Sequence, residues 1–186
     1  MEVVRKIKLK KAEKFKPGDI ISFELENGEK VRARAVKREK NGMLFCMVDC
    51  LKQEEQMNNG DTNKGGYEAS DLRKKLNSEI LDRFPAEIRD RMKPMENGDL
   101  LRIPTEREIF GENKYGDSDN TEQWPCMKQV RNRIALRGDN GAWEWYWLQN
   151  RYRDSASNFC YVTSGGTADA YGASDSNGVR PVFLLS

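Results

Sequence analysis

The sequence contains no histidine among its 186 residues. Imidazole is therefore missing as a general base, as the partner of a nucleophilic serine or cysteine, and as a zinc ligand. This absence excludes a Ser-His-Asp triad, a Cys-His pair and a His-Glu-x-x-His zinc site. Catalysis by carboxylates, Lys, Tyr or Cys stays open, but the usual routes are closed, and we predict no catalytic residues.

Cysteine is scarce, with only Cys46, Cys50, Cys126 and Cys160. Four scattered cysteines are too few for the disulfide framework of a secreted scaffold, so free buried thiols are expected. The spacing of Cys46 and Cys50 does not match the Cys-x-x-Cys pattern of redox and zinc sites.

Long apolar runs are also missing. Residues 1–16 form a basic, alternating segment without the apolar core of a signal peptide, and no run approaches the length of a membrane span. The formal net charge of +2 gives no case for nucleic acid or membrane as a partner. We therefore expect a cytoplasmic protein that binds neither.

The order of the predicted elements is strands, then helices, then strands with long loops. We expect a single α+β domain over 1–186, with a β meander over 1–51, a helical part over 70–111 and a loop and strand region over 112–186. Asn27-Gly28 and Asn41-Gly42 are hairpin signals within the meander. The predicted strands are Val3–Lys10, Ile20–Leu25, Val31–Val36, Met43–Leu51, Phe159–Val162 and Val179–Leu185.

Two to three short helices are predicted in the middle of the chain. Ser70 is a good N-cap for an amphipathic helix over 71–82, and 86–92 forms a second short helix. Thr105 and Glu108 have the spacing of a capping box that opens a short helix closed by Gly111.

Three tryptophans alternate at Trp143, Trp145 and Trp147, so a strand there places three indoles on one face. Stacked indoles are more often core than ligand platform because they contribute large apolar areas. Arg180 lies between apolar residues of a predicted strand and would need a carboxylate or several carbonyls as partners. We therefore interpret these four residues as structural anchors.

A run of oxygen-bearing side chains at Asp117, Asp119 and Asn120 has the composition of a calcium loop. It lacks the glycine and the distal glutamate of an EF-hand, and a plain polar turn has the same composition. Calcium at these three residues is the only metal or cofactor that the sequence suggests.

Nearly the whole chain resembles an uncharacterised family of bacterial and phage proteins found in gut Firmicutes. The family's first hallmarks are a Gly-Asp-Ile-Ile-Ser-Phe turn and a Tyr-x-x-Ser-Asp-Leu-Arg-x-x-Leu-Asn segment. An Ile-Pro-Thr-x-x-Glu-Ile-Phe-Gly segment follows, and the C-terminal part has a Trp-Leu-Arg-Ser motif and then a Gly-Val-Arg-Pro motif. The matching segments here are Gly18–Phe23, Tyr67–Asn77, Ile103–Gly111, Trp147–Asn150 and Gly178–Pro181. The chain departs from the pattern where Gln149-Asn150 replaces the usual Arg-Ser.

The C-terminal pattern also resembles the C-type-lectin-like fold of formylglycine-generating enzymes and of the variable proteins of diversity-generating retroelements. In those variable proteins, scattered polar positions form a ligand-binding face on a rigid scaffold. Of the 28 residues 150–177, fourteen are Tyr, Ser, Gly or Asn and seven are Ala or Asp, which fits both such a face and an ordinary loop-rich region. The resemblance implies a candidate ligand-binding set of Gln149, Asn150, Arg151, Tyr152, Arg153, Asp154, Asn158, Thr163, Asp169, Tyr171 and Asp175.

Three functions follow from these observations as hypotheses. The first is a non-catalytic protein that binds a protein or glycan on a cell surface, and that a phage particle or retroelement displays. The second is a catalyst like the formylglycine-generating enzymes, which would need Cys126 and Cys160 as a pair. The third is a structural component of a phage assembly, docked through the basic N-terminal meander. The sequence leaves the oligomeric state open.

Overall fold

A computed structural model describes residues 15–138 and 141–186, and the predicted strand Val3–Lys10 lies outside them. The described chain has a mixed α+β architecture in which antiparallel sheets dominate. None of its helices is long and apolar enough to cross a membrane. The strands are β1 Ile20–Glu24, β2 Lys30–Glu39, β3 Gly42–Met47, β4 Glu55–Gln56, β5 Met92–Lys93, β6 Ala135–Leu136, β7 Trp143–Glu144, β8 Tyr146–Arg151, β9 Asn158–Val162, β10 Ala168–Gly172, β11 Ser176–Asn177 and β12 Val182–Leu185.

The largest sheet has five strands in the order β1-β2-β3-β12-β5 and is curled into a half-barrel. The hairpins β1–β2 and β2–β3 are antiparallel, so the predicted meander is confirmed over 20–47. The last strand of the chain, β12, pairs with β3 and completes this sheet. That pairing joins residues about 140 positions apart, and no local turn signal encodes such a contact.

The helices are short: α1 Gly66–Ala69, α2 Asp71–Lys75, α3 Ala86–Arg89 and α4 Glu106–Phe110. Helix α2 continues as a π turn and a 3₁₀ turn to Arg83, which confirms the helix predicted over 71–82. The Ser70 hydroxyl accepts a hydrogen bond from the Arg73 amide, as an N-cap should. The predicted second helix ends early, at Arg89, because Met92 already pairs in the five-stranded sheet.

The capping box that opens α4 is confirmed in both directions. The Thr105 hydroxyl accepts from the Glu108 amide, and the Glu108 carboxylate accepts from the Thr105 amide. Gly111 ends the helix with φ 83°, a conformation that favours glycine.

A second sheet has three antiparallel strands in the order β10-β9-β8, and two-stranded ribbons β4–β11 and β6–β7 adjoin it. Neighbouring residues of its strands enter different hydrophobic clusters: Trp147 and Tyr161 belong to one, and Tyr146 and Val162 to the other. The five-stranded sheet divides in the same way, with Phe183 and Leu184 of β12 in different clusters. Both sheets therefore contribute to both hydrophobic clusters.

Arg180 is buried between the two sheets, and carbonyl and hydroxyl oxygens surround its guanidinium. Its Nε donates to the Met47 carbonyl at 2.7 Å, and its Nη2 donates to the Asn132 carbonyl at 3.1 Å. Its Nη1 donates to the Tyr146 hydroxyl at 3.0 Å, and the guanidinium lies 5.1 Å from the centroid of that ring. This is the environment of a structural anchor, with carbonyls as the partners.

Only one of the three alternating indoles lies in the core. Trp147 is fully buried, and its Nε1 donates to the Glu55 carbonyl at 2.8 Å. Trp145 is 40% exposed and Trp143 is 72% exposed. The prediction that all three indoles belong to the core is wrong for Trp143 and Trp145, because both are open to solvent.

Candidate binding surface

Four aromatic side chains come together on one face of the three-stranded sheet. Trp145, Tyr161 and Tyr171 form a cluster that we call the aromatic platform, and the buried ring of Trp147 lies beside Tyr171. The ring centroids of Trp145 and Tyr161 are 5.3 Å apart, those of Trp145 and Tyr171 6.1 Å, and those of Tyr161 and Tyr171 5.9 Å. These are contact distances between aromatic rings, so no ligand group fits between them and a partner must bind against their outer surface.

The strand register explains why these rings meet. Trp147 and Asp169 are both directly opposite Tyr161 on the central strand β9, and Tyr171 is opposite Phe159. Since side chains alternate between the faces of a strand, Asp169 and Tyr171 share one face of β10. Trp145 precedes Trp147 by two residues and extends the same face beyond the end of β8.

The platform changes from buried to exposed along its length. Tyr161 is 5% exposed, whereas Tyr171 is 36% and Trp145 40% exposed. Trp143, in ribbon β6–β7, is 72% exposed and is the most exposed large apolar side chain of the described residues. Large aromatic groups held in contact with each other and open to solvent are typical anchors of binding surfaces.

Asp169 provides the carboxylate of this face. Its negative charge adds to the burial of Tyr161, which is the larger cause, in raising the pKa of Tyr161 to about 12. The same carboxylate accepts the amide of Ala170 at 2.8 Å. Strand β10 is the outer strand of its sheet, so Asp169 occupies a backbone donor that an added strand would otherwise use.

Three candidate residues predicted from the sequence lie elsewhere and fasten a loop. Arg151 pairs with Asp117 at 2.6 Å, and the guanidinium of Arg153 donates to the carbonyls of residues 113–115. The rings of Tyr152 and Tyr115 are in a T-shaped arrangement, with their centroids 6.2 Å apart. These side chains hold the segment 113–117 against the end of β8.

Asn150 is buried and cannot contact a ligand, so its place in the candidate binding set is wrong. Its Oδ1 accepts the amide of Glu106 at 2.7 Å, and its Nδ2 donates to the carbonyl of Asp117 and to the carboxylate of Asp119. Both ends of the amide are used inside the protein. The alternation of polar residues in the sequence gives no sign that helix α4 and the loop after it cover this position.

The other candidates are divided between turns and the platform. Gln149 donates to the Ile103 carbonyl, Asn158 accepts from Ser155 and Ser157, and Thr163 binds Thr167 across the turn between β9 and β10. Asp154 and Asp175 are exposed. Of the predicted set, the structure brings Asp169 and Tyr171 together on the platform face. They lie there with Trp145, which we predicted as a structural anchor, and with Tyr161 of the predicted strand Phe159–Val162.

In the oxygen-rich segment 117–120, the carboxylates of Asp117 and Asp119 bind other groups of the protein. Both oxygens of Asp119 accept hydrogen bonds, from Thr121 on one side and from Asn113 and Asn150 on the other. These bonds lower the pKa of Asp119 although its burial, the largest single influence, opposes them. Asp117 pairs with Arg151. Within the described residues, no three His, Cys, Asp or Glu side chains are grouped as metal ligands.

The cysteines are free thiols, and three of the four are buried. Burial raises the pKa of Cys46 to about 11 and raises those of Cys50 and Cys160 as well. The charged groups that act on Cys126 are Arg34 and Arg180, whereas those that act on Cys160 are Glu106, Arg153, Asp117 and Asp169. Burial is the largest cause of a raised pKa in both cysteines that the enzyme hypothesis needs, which disfavours their thiolate forms.

Thiol titration tests this arrangement. In the native protein at pH 8 we expect Cys46, Cys50 and Cys160 to resist a disulfide reagent, because burial and a raised pKa both suppress the thiolate. Half-buried Cys126 should react first, and all four thiols should react in denaturant. Rapid native labelling of Cys160 would contradict this description.

A separate cleft of about 920 Å³ lies between the β2–β3 hairpin and the start of α4. The ion pair of Arg102 and Glu108 lies in its wall, with the two nearest atoms 2.6 Å apart, beside Trp124 and Gln149. Gln149 is the only member of the predicted binding set that lines it. No platform residue lines this cleft, so the two surfaces are independent candidates.

The fold and both surfaces lie within a chain that belongs to a protein family. Its family model, described as Domain of unknown function (DUF6273), matches residues 41–123 and 103–186. These matches cover the five-stranded sheet from β3 onward and the whole three-stranded sheet. No curated protein and no solved structure matches the chain.

In the segments that resemble the bacterial and phage family, polar residues form ion pairs and hydrogen bonds between distant parts of the chain. Arg73 pairs with Asp99 at 2.7 Å, and the Asn77 amide group accepts from the amides of Leu100 and Leu101. Arg180, Ser70 and Thr105 have the structural contacts described above. None of these residues belongs to the aromatic platform, and each of them contributes to the architecture.

Proposed function

We propose that this chain is a non-catalytic binding protein that contacts a ligand or receptor on a cell surface through the aromatic platform. The single observation that carries the proposal is the contact of Trp145 with Tyr161 and Tyr171 while Trp145 and Tyr171 stay 40% and 36% exposed. A well-packed cluster holds these rings in one arrangement before the partner arrives. Binding then orders few further side chains, which lowers its entropic cost.

The proposal includes a C-type-lectin-like arrangement of the C-terminal half. What supports it is the three-stranded antiparallel sheet, whose buried residues lie below an exposed polar and aromatic layer. Display on a phage particle, or as the variable protein of a diversity-generating retroelement, is the setting that we propose for it.

Binding to intact cells tests the function. Labelled protein is titrated onto a panel of gut bacterial cells, and the double variant Trp145→Ala/Tyr171→Ala is compared with it. We expect the variant to bind about tenfold more weakly or worse, because exposed aromatic anchors contribute most of the energy of an interface.

The matched control is Tyr115→Ala/Val130→Ala, which removes two side chains of similar exposure (44% and 50%) outside the platform. The control should bind as the parent protein does, and both variants should keep their thermal midpoints within a few degrees. Equal binding by all three proteins would show that the platform is not the contact surface.

The genomic neighbourhood tests the variable-protein setting separately. We expect a near-copy of the 3′ end of the gene that differs from it almost only at adenines, beside a reverse transcriptase gene. Differences should fall in codons for exposed platform positions such as Asp169 and Tyr171, and should spare buried Asn150. If the genome has no near-copy of the 3′ end of the gene, the protein is a binding protein whose surface is not diversified.

A further inference from the structure

We infer that the aromatic platform binds a methylated ammonium group, such as the trimethylammonium of choline or of a trimethylated lysine side chain. This inference rests on the proposed function and names the chemical class of its ligand. Three features support it: the spacing of the ring centroids, the exposure of two of the rings, and the carboxylate of Asp169 on the same face.

The three rings of the platform are close enough together for one cation to contact all of them. Their centroids, 5.3, 5.9 and 6.1 Å apart, form a triangle. A cation about 4 Å above its centre is about 5 Å from every centroid, within the ~6 Å reach of cation–π attraction. The ring planes of Trp145 and Tyr161 differ by 31°, whereas those of Trp145 and Tyr171 differ by 89°. Rings set at different angles also form the walls of the aromatic cages that hold quaternary ammonium groups.

The exposure of the rings fixes the side from which a ligand approaches. Trp145 and Tyr171 are 40% and 36% exposed, whereas Tyr161 is 5% exposed and lies beneath them. Because the rings are in contact with each other, the site is shallow and covers only part of a ligand. A shallow site suits a compact head group at the end of a larger molecule, since a whole small molecule needs a concave pocket.

Asp169 supplies the negative charge that a bound cation needs. It is exposed, lies directly opposite Tyr161, and is two residues before Tyr171, so these three side chains share one face of the sheet. No ion pair of the described residues involves Asp169. The chain has no lysine after Lys128, so the strands that carry the platform contribute no ammonium of their own.

Methylation of the ammonium matters because the platform offers few hydrogen-bond acceptors. A lysine ammonium has three N–H donors and an arginine guanidinium has five, and these donors lose water when they contact the rings. Asp169 is a single carboxylate, and one of its oxygens already accepts the amide of Ala170. A trimethylammonium keeps the positive charge, has no donor to satisfy, and packs its methyl groups against the rings.

Choline and its neutral analogue, which has a tert-butyl group in place of the trimethylammonium, are matched probes of the same shape. Each is titrated into the full chain at constant ionic strength, and the indole N–H signals of the tryptophans are followed by NMR. We expect choline to shift the Trp145 signal saturably and the analogue to bind about fivefold more weakly or not at all. The signal of Trp143, which is 72% exposed outside the platform, should stay unchanged. Equal binding of both probes, or no shift of Trp145 by choline, would overturn the inference.

Substitutions on β10 separate the ring from the charge. Tyr171→Phe keeps an aromatic ring and should bind choline within about twofold of the parent, whereas Tyr171→Leu keeps only apolar bulk and should bind about fivefold more weakly. Asp169→Asn should weaken binding about threefold, because the carboxylate charge is lost. Asp175→Asn is its matched control: that carboxylate lies on the opposite face of β10, in the β-carbon direction of Gly172, and its loss should leave binding unchanged. Equal choline binding by Tyr171→Leu and the parent would show that the ring does not hold the cation.

Cell binding separates this inference from the proposed function. If Trp145→Ala/Tyr171→Ala loses cell binding while excess choline does not compete with the cells, the platform stands and the methylated ammonium is wrong. The same is true if a neutral glycan such as dextran competes and choline does not. If choline shifts Trp145 but the double variant binds cells as the parent does, the ammonium site stands and the proposed function is wrong.

Two further competitors identify the source of the group. Phosphocholine and a peptide with a trimethylated lysine are compared as competitors of cell binding at equal concentration. Stronger competition by phosphocholine indicates a choline head group on the cell surface, and stronger competition by the peptide indicates a methylated protein. Competition by an unmethylated lysine peptide as strong as that of the trimethylated one would overturn the preference for methylation.

Discussion

Replacing Arg180 with alanine is expected to lower the free energy of unfolding by about 3–5 kcal/mol, the largest effect of any single substitution proposed for this protein. The side chain is 3% exposed and donates to Met47, Tyr146 and Asn132. Its removal takes a hydrogen-bond donor from two carbonyls and a hydroxyl inside the protein, and it opens a cavity between the sheets. Urea denaturation followed by circular dichroism measures the loss.

Two further variants make this result specific. Arg180→Lys keeps the charge but lacks the planar guanidinium that donates to three acceptors at once. We therefore expect a loss of unfolding free energy between those of the parent and of Arg180→Ala. Arg131→Ala removes an exposed arginine with no contact of this kind and should change stability by about 0.5 kcal/mol or less. Equal stability of the Arg180→Ala protein and its parent would show that Arg180 does not join the sheets.

Asn150→Ala is expected to cost about 2–4 kcal/mol, because its amide makes three hydrogen bonds to the segments 106 and 117–119. The loss leaves the Glu106 amide and the Asp119 carboxylate each short of a partner. Segment 113–119 should then open, which protease digestion or hydrogen exchange would detect as faster cleavage or exchange in that segment alone.

Arg151→Ala is the matched control for Asn150, since it removes the adjacent contact to the same loop. The pair of Arg151 and Asp117 is 45% and 43% exposed, and solvent screens it, so its loss should cost about 1 kcal/mol or less. If Asn150→Ala is as stable as Arg151→Ala but loses cell binding, Asn150 contacts the ligand and is not a structural residue.

Local signals predicted the helices and hairpins well for a physical reason. The N-cap at Ser70, the capping box at Thr105 and the turn at Asn41-Gly42 are complete within four residues, so the sequence alone contains each of them. The closure of the five-stranded sheet by β12 depends on contacts far apart along the chain, and no local pattern encodes it.

The candidate site was predicted only in part, and the tryptophans show why. Alternation of Trp145 and Trp147 correctly indicates a shared face, but it does not tell which part of that face another element covers. Ribbon β4–β11 meets Trp147 and leaves Trp145 open, so one indole is core and the other is surface. Asn150 was misassigned for the converse reason, because a distant loop covers a polar residue.

One measurement tests the central claim most directly: the dissociation constants of Trp145→Ala/Tyr171→Ala and Arg151→Ala/Arg153→Ala for the same cells. Both pairs lie in the C-terminal region, but the first removes the aromatic platform and the second removes loop fasteners. The platform account predicts that the first variant loses about tenfold or more in affinity while the second stays close to the parent. Loss of binding by the arginine variant alone would contradict it and place the contact surface at the loop.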